Sequence, residues 1–440
     1  MTEQTGPEPA YPGYLAALAE RLRRQADRVE PPSSPHEGAP AVVGDAVTGR
    51  VEALAEDLVA LSHDLHAHPE LAYEERHAAR AVARMVEGNG LDVQVGAYGL
   101  DTAVRAAAGA GRPRVAVLAE YDALPGIGHA CGHNVICATA VGAFLALSTV
   151  VGDTGGSVEL IGTPGEEGGG GKELIARAGG FDEVDAAVML HPFGFDIAEH
   201  DWLGGRLVDV EYHGLAAHAA AMPFLGRNAL DALVTAYTGI AQLRQHMLPT
   251  DRVHGVITDG GSKPNIVPEH AAAQFFIRSM EPETLAILCD RVAAVFTAAA
   301  GATGTVVDVR WDPAPTYLPV RNNATLAARY AANLAGRGRR VLPRGVVPSG
   351  LTGSTDLGNV SVRLPAIHPT LAISPPDVTI HTVEFARWSC SGRADEGVVD
   401  GAVGLALTAA DYLADAALRG AVADEFDRAG GPLDVDALLR

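Results

Sequence analysis

A cysteine and a histidine lie two residues apart in the segment GHACGHN, residues 128–134. Thiolate sulfur and imidazole nitrogen are preferred ligands of zinc and similar divalent ions. On a helix, Cys131 and His133 would point to different faces, whereas in an extended loop both can point at one position. The pair is therefore a candidate metal site, although an isolated cysteine and histidine are more often a buried small residue and a residue at the start of a helix.

Two adjacent carboxylates, Glu166 and Glu167, follow the apolar segment SVELIGTP. Neighbouring side chains of an extended chain diverge, so one carboxylate can bind a metal while the other reaches a water molecule. A solvated acidic loop is the alternative. The glycines and Lys172 that follow do not make a phosphate loop, because Glu166 occupies the position of its first glycine and Glu173 that of its Ser or Thr. This argues against a nucleotide-binding ATPase.

Strand and helix patterns alternate around these motifs, and this order predicts an α/β domain with a doubly wound, mainly parallel sheet. Ligands of such sheets collect at the carboxyl ends of the strands. Cys131, His133, Glu166, Glu167 and His191 each follow a predicted strand. We therefore expect them at one edge of the sheet, although a lone histidine such as that of VMLHP is more often a packed core residue.

The order of elements changes to β-α-β-β-α-β between residues 206 and 315, which predicts an inserted α+β domain. The larger, metal-binding domain is then discontinuous, over residues 44–205 and 316–425. Residues 1–43 hold a short amphipathic helix and a Pro/Ser/Gly linker, interpreted as an N-terminal extension, and residues 426–440 form a tail.

Charge and cysteine content restrict the partners and the compartment. Lysine and arginine number 33 and acidic residues 54, for a formal net charge of −21, and such a surface repels nucleic acid. Four scattered cysteines are not typical of a disulfide-rich secreted domain. The most apolar run, residues 138–151, is too short to cross a bilayer. We therefore predict a cytoplasmic protein that binds neither nucleic acid nor membrane.

Several linked motifs together resemble the amidohydrolase branch of zinc metallopeptidase family twenty, and most closely its p-aminobenzoyl-glutamate hydrolase and β-alanyl-lysine dipeptidase group. They span about residues 45–415, in the order AEYDALPGIGHACGHN, GTPGEEGGGGK, VMLHP, HGLAAHAAAMPFLGRNALDA, GGSKPNIVPEHAAAQFFIRS, GSTDLGNVS and IHTVEF. The resemblance implies hydrolysis of the amide bond of an N-acyl amino acid or dipeptide with a free carboxylate. It also implies that the inserted domain is a lid through which the protein forms a homodimer.

The resemblance further implies two divalent metal ions per subunit, zinc or alternatively manganese. Their ligands would be Cys131 as a bridge, Glu167 and His381 on one ion, and His133 and His191 on the other. Glu166 would be the general base. Asp122 would orient a metal ligand without binding the metal itself. Two positions depart from the common family pattern, since Glu120 stands where many members have a metal-binding histidine and Asn134 where many have aspartate.

In the predicted lid, the resemblance assigns His218 to the active site of the partner subunit, where it would stabilise the developing oxyanion. Asn265 and Arg278 would hold the carboxylate end of the substrate, which suits the fork of an arginine. Without the resemblance these would be ordinary solvated residues. A non-catalytic binding protein that keeps the fold is the alternative function, and it is disfavoured because all the expected ligands and the base are present.

Overall fold

The computed structural model of the chain describes residues 10, 11 and 13–438. Its strands are β1 Val93–Val95, β2 Val104–Gly109, β3 Arg114–Ala119, β4 Ser157–Gly162, β5 Ala186–Val188, β6 His191–Phe193, β7 Gly204–His213, β8 Arg252–Asp259, β9 His270–Ser279, β10 Val306–Trp311, β11 Ala366–Ile367 and β12 Thr370–Ala372.

The α-helices are α1 Tyr14–Ala26, α2 Ala41–Ala53, α3 Ala55–Ala67, α4 Arg76–Gly88, α5 His133–Ser148, α6 Val151–Thr154, α7 Gly171–Arg177, α8 Ala229–Leu243, α9 Pro282–Thr303, α10 Ala324–Ala335, α11 Leu357–Ser361, α12 Val383–Trp388, α13 Gly392–Ala414, α14 Ala416–Arg428 and α15 Val435–Leu438.

The larger domain is built on a six-stranded sheet of order β1-β2-β4-β3-β5-β11. The four strands β4, β3, β5 and β11 are parallel, whereas β1 and β2 are antiparallel at one edge. Residues 115–119 of the central strand β3 are completely buried, as expected for a strand covered on both faces. The prediction of a mainly parallel α/β domain is therefore confirmed.

Helices cover both faces of this sheet. The larger core contains α5, α13, α3 and α2 on one face, and a smaller core contains α7 and α11 on the other. Helix α5 is apolar on every side and almost entirely buried, as is typical of a central core helix. A Cβ at Gly142 of α5 would lie 2.6 Å from Leu58 of α3 and 3.0 Å from Ala402 of α13. Glycine therefore allows these three helices to pack closely.

The inserted domain is a four-stranded antiparallel sheet of order β10-β7-β9-β8 with α8 and α9 packed on it. Its element order is β-α-β-β-α-β, as predicted. Side chains of β9 alternate between buried and half-buried positions, so one face of the sheet meets the helices and the other faces outward.

Helices α9 and α13 have the length and apolar composition of a membrane-spanning segment. Both pack within the protein: α9 lies against the lid sheet, and α13 is largely buried in the larger core. Core packing thus accounts for the apolar character of α13 and of the face of α9 that meets the sheet.

Candidate metal centre and active site

The segments that follow β3, β4 and β5 bring four of the predicted ligands together, and His381 joins them from the segment between β12 and α12. One group consists of Cys131, His133 and His191, and a second consists of Cys131, Glu167 and His381. Within each group the ligand atoms lie within 4.8 Å of one another. Cys131 belongs to both groups, so the arrangement offers two neighbouring positions for a cation with one sulfur between them.

The turn between the two ligands of the GHACGHN segment depends on Gly132. This residue precedes α5 with a φ of 82°, a left-handed conformation that favours glycine. A Cβ at this position would lie 3.0 Å from the Pro192 ring. Glycine therefore lets Cys131 and His133 point at one place although α5 begins at His133.

Hydrogen bonds determine which nitrogen of each buried histidine faces the site. His133 Nδ1 donates to Asp122 Oδ1 at 3.0 Å, and His191 Nδ1 donates to the Pro192 carbonyl at 2.7 Å. The Nε2 lone pair of each ring is therefore left for a ligand. His191 Nε2 lies 3.3 Å from Cys131 Sγ. Burial, together with nearby His133, lowers the pKa of His191 to about 3, so its imidazole is neutral at neutral pH.

Three buried polar atoms at this place have no hydrogen-bond partner among the described residues: Glu120 Oε2, His133 Nε2 and Glu167 Oε1. A buried polar atom without a partner costs about 1–3 kcal/mol. His133 Nε2 lies 3.5 Å from Glu120 Oε2 and 4.0 Å from Glu167 Oε1. These mutually facing atoms, of the chemical types that bind divalent cations, fit a metal centre.

The Cys131 thiol also fits a cation. Burial raises its pKa well above the ordinary value, and the Glu167 carboxylate raises it further. Positive charge beside the sulfur is therefore needed to keep the thiolate at neutral pH.

His381 completes the second group from a strained backbone position. It has a φ of 63°, which is uncommon outside glycine. Its backbone N–H donates to the Ala130 carbonyl at 2.8 Å, and its Nε2 lies 3.4 Å from Glu167 Oε1. The hydrogen bond holds His381 beside Cys131, and the strain is consistent with a functional position.

Glu166 lies beside both groups. Its Oε2 is 3.7 Å from His133 Nε2, and the residue is buried in the wall of the cavity. Burial raises the pKa of its carboxyl well above the ordinary value, and the charges of Glu120 and Glu167 raise it further. A carboxyl group with a raised pKa near the reacting atoms is suited to proton transfer.

Asp122 contacts one residue from each of the two ligand groups. Its Oδ1 accepts from His133 Nδ1, and its Oδ2 accepts from the Glu167 backbone N–H at 2.8 Å. We expect Asp122→Asn to weaken metal affinity about 10–100-fold, because the amide cannot accept from His133 and from Glu167 as the carboxylate does. Competition with a chromogenic chelator measures this affinity.

Asp185→Asn is the matched control, since this carboxylate accepts from the Arg114 backbone N–H at 2.7 Å outside the site. Equal metal affinities for the two variants would exclude the role of Asp122.

A buried lysine supports this site by pairing with two carboxylates. The sequence analysis predicted no role for it here. Lys172 is completely buried, and its Nζ donates to Glu120 and to Asp356 Oδ1. The Lys172 backbone N–H also donates to Asp356 Oδ2 at 2.9 Å. Lys172 thus neutralises Glu120, the residue at the position of a common family ligand, and ties the glycine loop to the GSTDLGNVS segment. Its position directly after a run of glycines was the only signal available in the sequence.

Three further residues support the glycine loop from distant parts of the chain. Tyr317 Oη donates to the Glu166 carbonyl and accepts from the Gly170 N–H. Glu75 Oε1 accepts from the Gly165 N–H at 2.8 Å, and Tyr73 Oη donates to the loop at 2.5 Å. No local pattern links these residues to the loop, so the sequence analysis did not identify them.

The lid contributes Arg278 to the same cavity as Cys131 and Glu166. Its guanidinium lies 3.8 Å above the Phe276 ring, and its buried Nε has no hydrogen-bond partner among the described residues. Burial lowers the pKa of Arg278, yet an arginine stays charged at neutral pH. An unpaired cationic fork in a cavity suits a carboxylate.

His218 and Asn265 lie together on the lid surface, apart from the cavity. Both are exposed, and the Asn265 carbonyl accepts from the Ala219 N–H at 3.1 Å. Neither residue is among those that line the cavity in the described part of the chain. Within one subunit the structure therefore joins them to each other and separates them from the metal ligands.

Known proteins similar to this chain include peptidases and an amide hydrolase. Residues 204–303 match the peptidase dimerisation domain of the M20 family. The chain is 41% identical over 398 residues to Xaa-Arg dipeptidase of Mus musculus, covering 86% of this chain and 90% of the relative. It is 31% identical over 425 residues to a subunit of p-aminobenzoyl-glutamate hydrolase of Escherichia coli (strain K12), covering 80% and 88%.

Among solved structures, the fold is similar to that of the YXEP protein of Bacillus subtilis, described as a dinuclear metal-binding peptidase of the M20 family. The TM-score is 0.60 at 20% identity, with 80% of this chain and 98% of that chain covered. The chain therefore belongs to the M20 peptidase family, as its motifs predicted, and it is a metal-dependent hydrolase of amide bonds. The matched dimerisation domain indicates an oligomer.

Proposed function

We propose that the protein uses two divalent metal ions to hydrolyse the amide bond of an N-acyl amino acid or dipeptide with a free carboxylate. The observation that carries the proposal is the position of Cys131, whose sulfur is shared by the His133/His191 group and the Glu167/His381 group. Zinc is favoured by the thiolate, and manganese is the alternative admitted by the imidazole and carboxylate ligands.

When bound, two such cations polarise an amide carbonyl and make a nearby water more acidic. Glu166 accepts a proton from the attacking water, whose oxygen adds to the carbonyl carbon. As the C–N bond breaks, Glu166 passes that proton to the leaving amine, and the products are a carboxylic acid and an amine. Arg278, whose buried Nε has no hydrogen-bond partner among the described residues, holds the substrate carboxylate in the same cavity. The charge of Arg278 thereby positions the substrate so that its amide bond lies beside Glu166 and the metal ligands.

A homodimer places His218 and Asn265 of one subunit in the cavity of the other. Three observations support this arrangement. Large apolar side chains near His218 are exposed, including Leu215, Met222 and Phe224. Strand β8 is an edge strand of the lid sheet, which leaves it available for pairing with a second copy. The matched family model is a dimerisation domain. In this position His218 stabilises the oxyanion by donating a hydrogen bond.

Metal titration and a substrate panel test the proposed function. The metal-free protein is expected to bind about two equivalents of zinc or manganese per subunit and to regain activity in parallel. N-acyl amino acids and dipeptides should be hydrolysed, whereas their α-carboxamides should react more slowly because they lack the charge that Arg278 binds. Binding of one equivalent, or equal rates for acids and amides, would contradict the proposal.

A further inference from the structure

The N-terminal extension packs against the catalytic domain beside the active site. We define residues 14–40, helix α1 and the segment that follows it, as the N-terminal strap. Leu18, Ala19 and Leu22 of α1 are buried. Leu18 and Leu22 form a separate apolar cluster with catalytic-domain residues that include Phe195 and Val347. Burial of these side chains stabilises the docked position of α1.

Hydrogen bonds along the strap anchor the segment after α1. Arg340 Nη2 donates to the Val29 carbonyl at 2.5 Å, and Arg329 Nη1 donates to the His36 carbonyl at 2.9 Å. Asp411 Oδ1 accepts from the Ala39 N–H at 2.7 Å. Since these contacts come from α10, α13 and the loop after α10, the strap is bound to the body of the catalytic domain along its length.

Helix α1 forms part of the wall of the active-site cavity. This cavity has a volume of about 620 Å³ and is lined by Cys131, Glu166 and His191 of the active site. Leu15, Leu18, Ala19 and Leu22 of α1 line the same cavity. Leu15 is 50% exposed, so part of its side chain is available to a ligand. The strap therefore presents an apolar surface to the cavity that contains the candidate metal ligands.

The charges in the cavity restrict the side chains that it can accept. Among the described lining residues, the only carboxylates are Glu166 and Glu167, which belong to the catalytic site. Arg252 and Arg278 add positive charge. Among the described residues of its own chain, a cationic substrate group would find no free acidic partner in this cavity, and burial of an unpaired charge is costly. An apolar group would gain about 25 cal/mol for each Å² that it buries.

We propose that the N-terminal strap determines substrate specificity, and that the enzyme takes substrates with a carboxylate at one end and an apolar acyl group or side chain against α1. This inference rests on the proposed amide hydrolysis. It differs from what the name Xaa-Arg dipeptidase says of the relative from Mus musculus, because an arginine side chain would need an acidic partner that the described cavity lacks.

The proposal is tested with dipeptides and N-acyl amino acids that differ at a single position, which carries glycine, leucine or lysine. The wild-type protein is expected to prefer leucine to lysine by about tenfold or more in kcat/KM. Leu15→Ser should reduce the preference for leucine over glycine by about tenfold, because it removes apolar contact without changing the metal site. Leu248→Ser is the matched control, since Leu248 is also 50% exposed and lies in the lid outside the cavity.

If α1 contacts the substrate, Leu15→Glu should shift the preference from leucine towards lysine. The added carboxylate should raise kcat/KM for the lysine compound relative to the leucine compound. Thermal unfolding of each variant checks that α1 still packs. Unchanged preferences in both Leu15 variants, or a wild-type preference for lysine, would overturn the strap proposal while leaving amide hydrolysis intact. Failure to hydrolyse any compound of the panel would instead overturn the proposed function itself.

Discussion

Glu166→Ala should lower kcat by about 10²–10⁴-fold while the protein still binds its metal ions. Glu166 is buried beside the ligand groups, and burial together with Glu120 and Glu167 raises the pKa of its carboxyl. Glu166 belongs to neither group that shares Cys131, although it forms a third group with Glu120 and His133. Loss of turnover without loss of metal would therefore separate proton transfer from metal binding.

The measurement combines metal content by mass spectrometry with steady-state kinetics on the same preparation. Glu166→Gln keeps the shape and hydrogen-bonding groups of the side chain but cannot take up a proton, so it should be as inactive as the alanine variant. Glu183→Ala is the control, because this carboxylate is 75% exposed and pairs with Arg114 away from the site. Full activity of Glu166→Gln would remove the residue from the mechanism, and loss of metal would make it a ligand.

A mixed dimer should regain activity that each parent variant lacks. His218→Ala alone is expected to cost about 10²–10³-fold in kcat, as loss of one oxyanion donor does. In a dimer of one Glu166→Ala subunit and one His218→Ala subunit, the second subunit keeps its base and receives the intact His218 of the first. One of the two sites is then complete, so about half of the wild-type activity should return.

Two affinity tags allow the mixed dimer to be purified and compared with both parent homodimers. A dimer of one wild-type and one Glu166→Ala subunit is the control and should also have about half of the activity. If His218 acted within its own subunit, neither site of the test dimer would be complete and it would stay inactive. This outcome would reject the exchange between subunits. It would require the lid to bring His218 to the cavity of its own chain.

Residues of both the lid and the catalytic domain form the active-site cavity. Arg278 reaches the cavity from β9 of its own subunit, whereas His218 and Asn265 are exposed on the surface that carries the dimerisation match. The cavity of one chain thus contains the metal groups, the base and a carboxylate partner. The oxyanion donor is the part that we assign to the other subunit.

The fold class, and the side chains that could bind metal and transfer protons, could be predicted from local sequence patterns and motifs. Strands and helices of this chain are marked by local apolar patterns, which is why the parallel sheet and the inserted β-α-β-β-α-β domain could be predicted. Cys131, His133, Glu166, Glu167 and His191 follow predicted strands, and parallel strands end at one edge of a sheet. Their proximity therefore follows from topology together with short motifs.

The distant side chains that support and shape that site could be identified only in the folded chain. Lys172 contacts Glu120 and Asp356, which lie 52 and 184 residues away in the sequence, and no periodicity encodes such contacts. The same holds for α1, whose amphipathic pattern predicts a buried face but not the surface that buries it. Packing between segments far apart in the chain is set by shape and burial in three dimensions. For that reason the position of α1 in the cavity wall could not be predicted from the sequence.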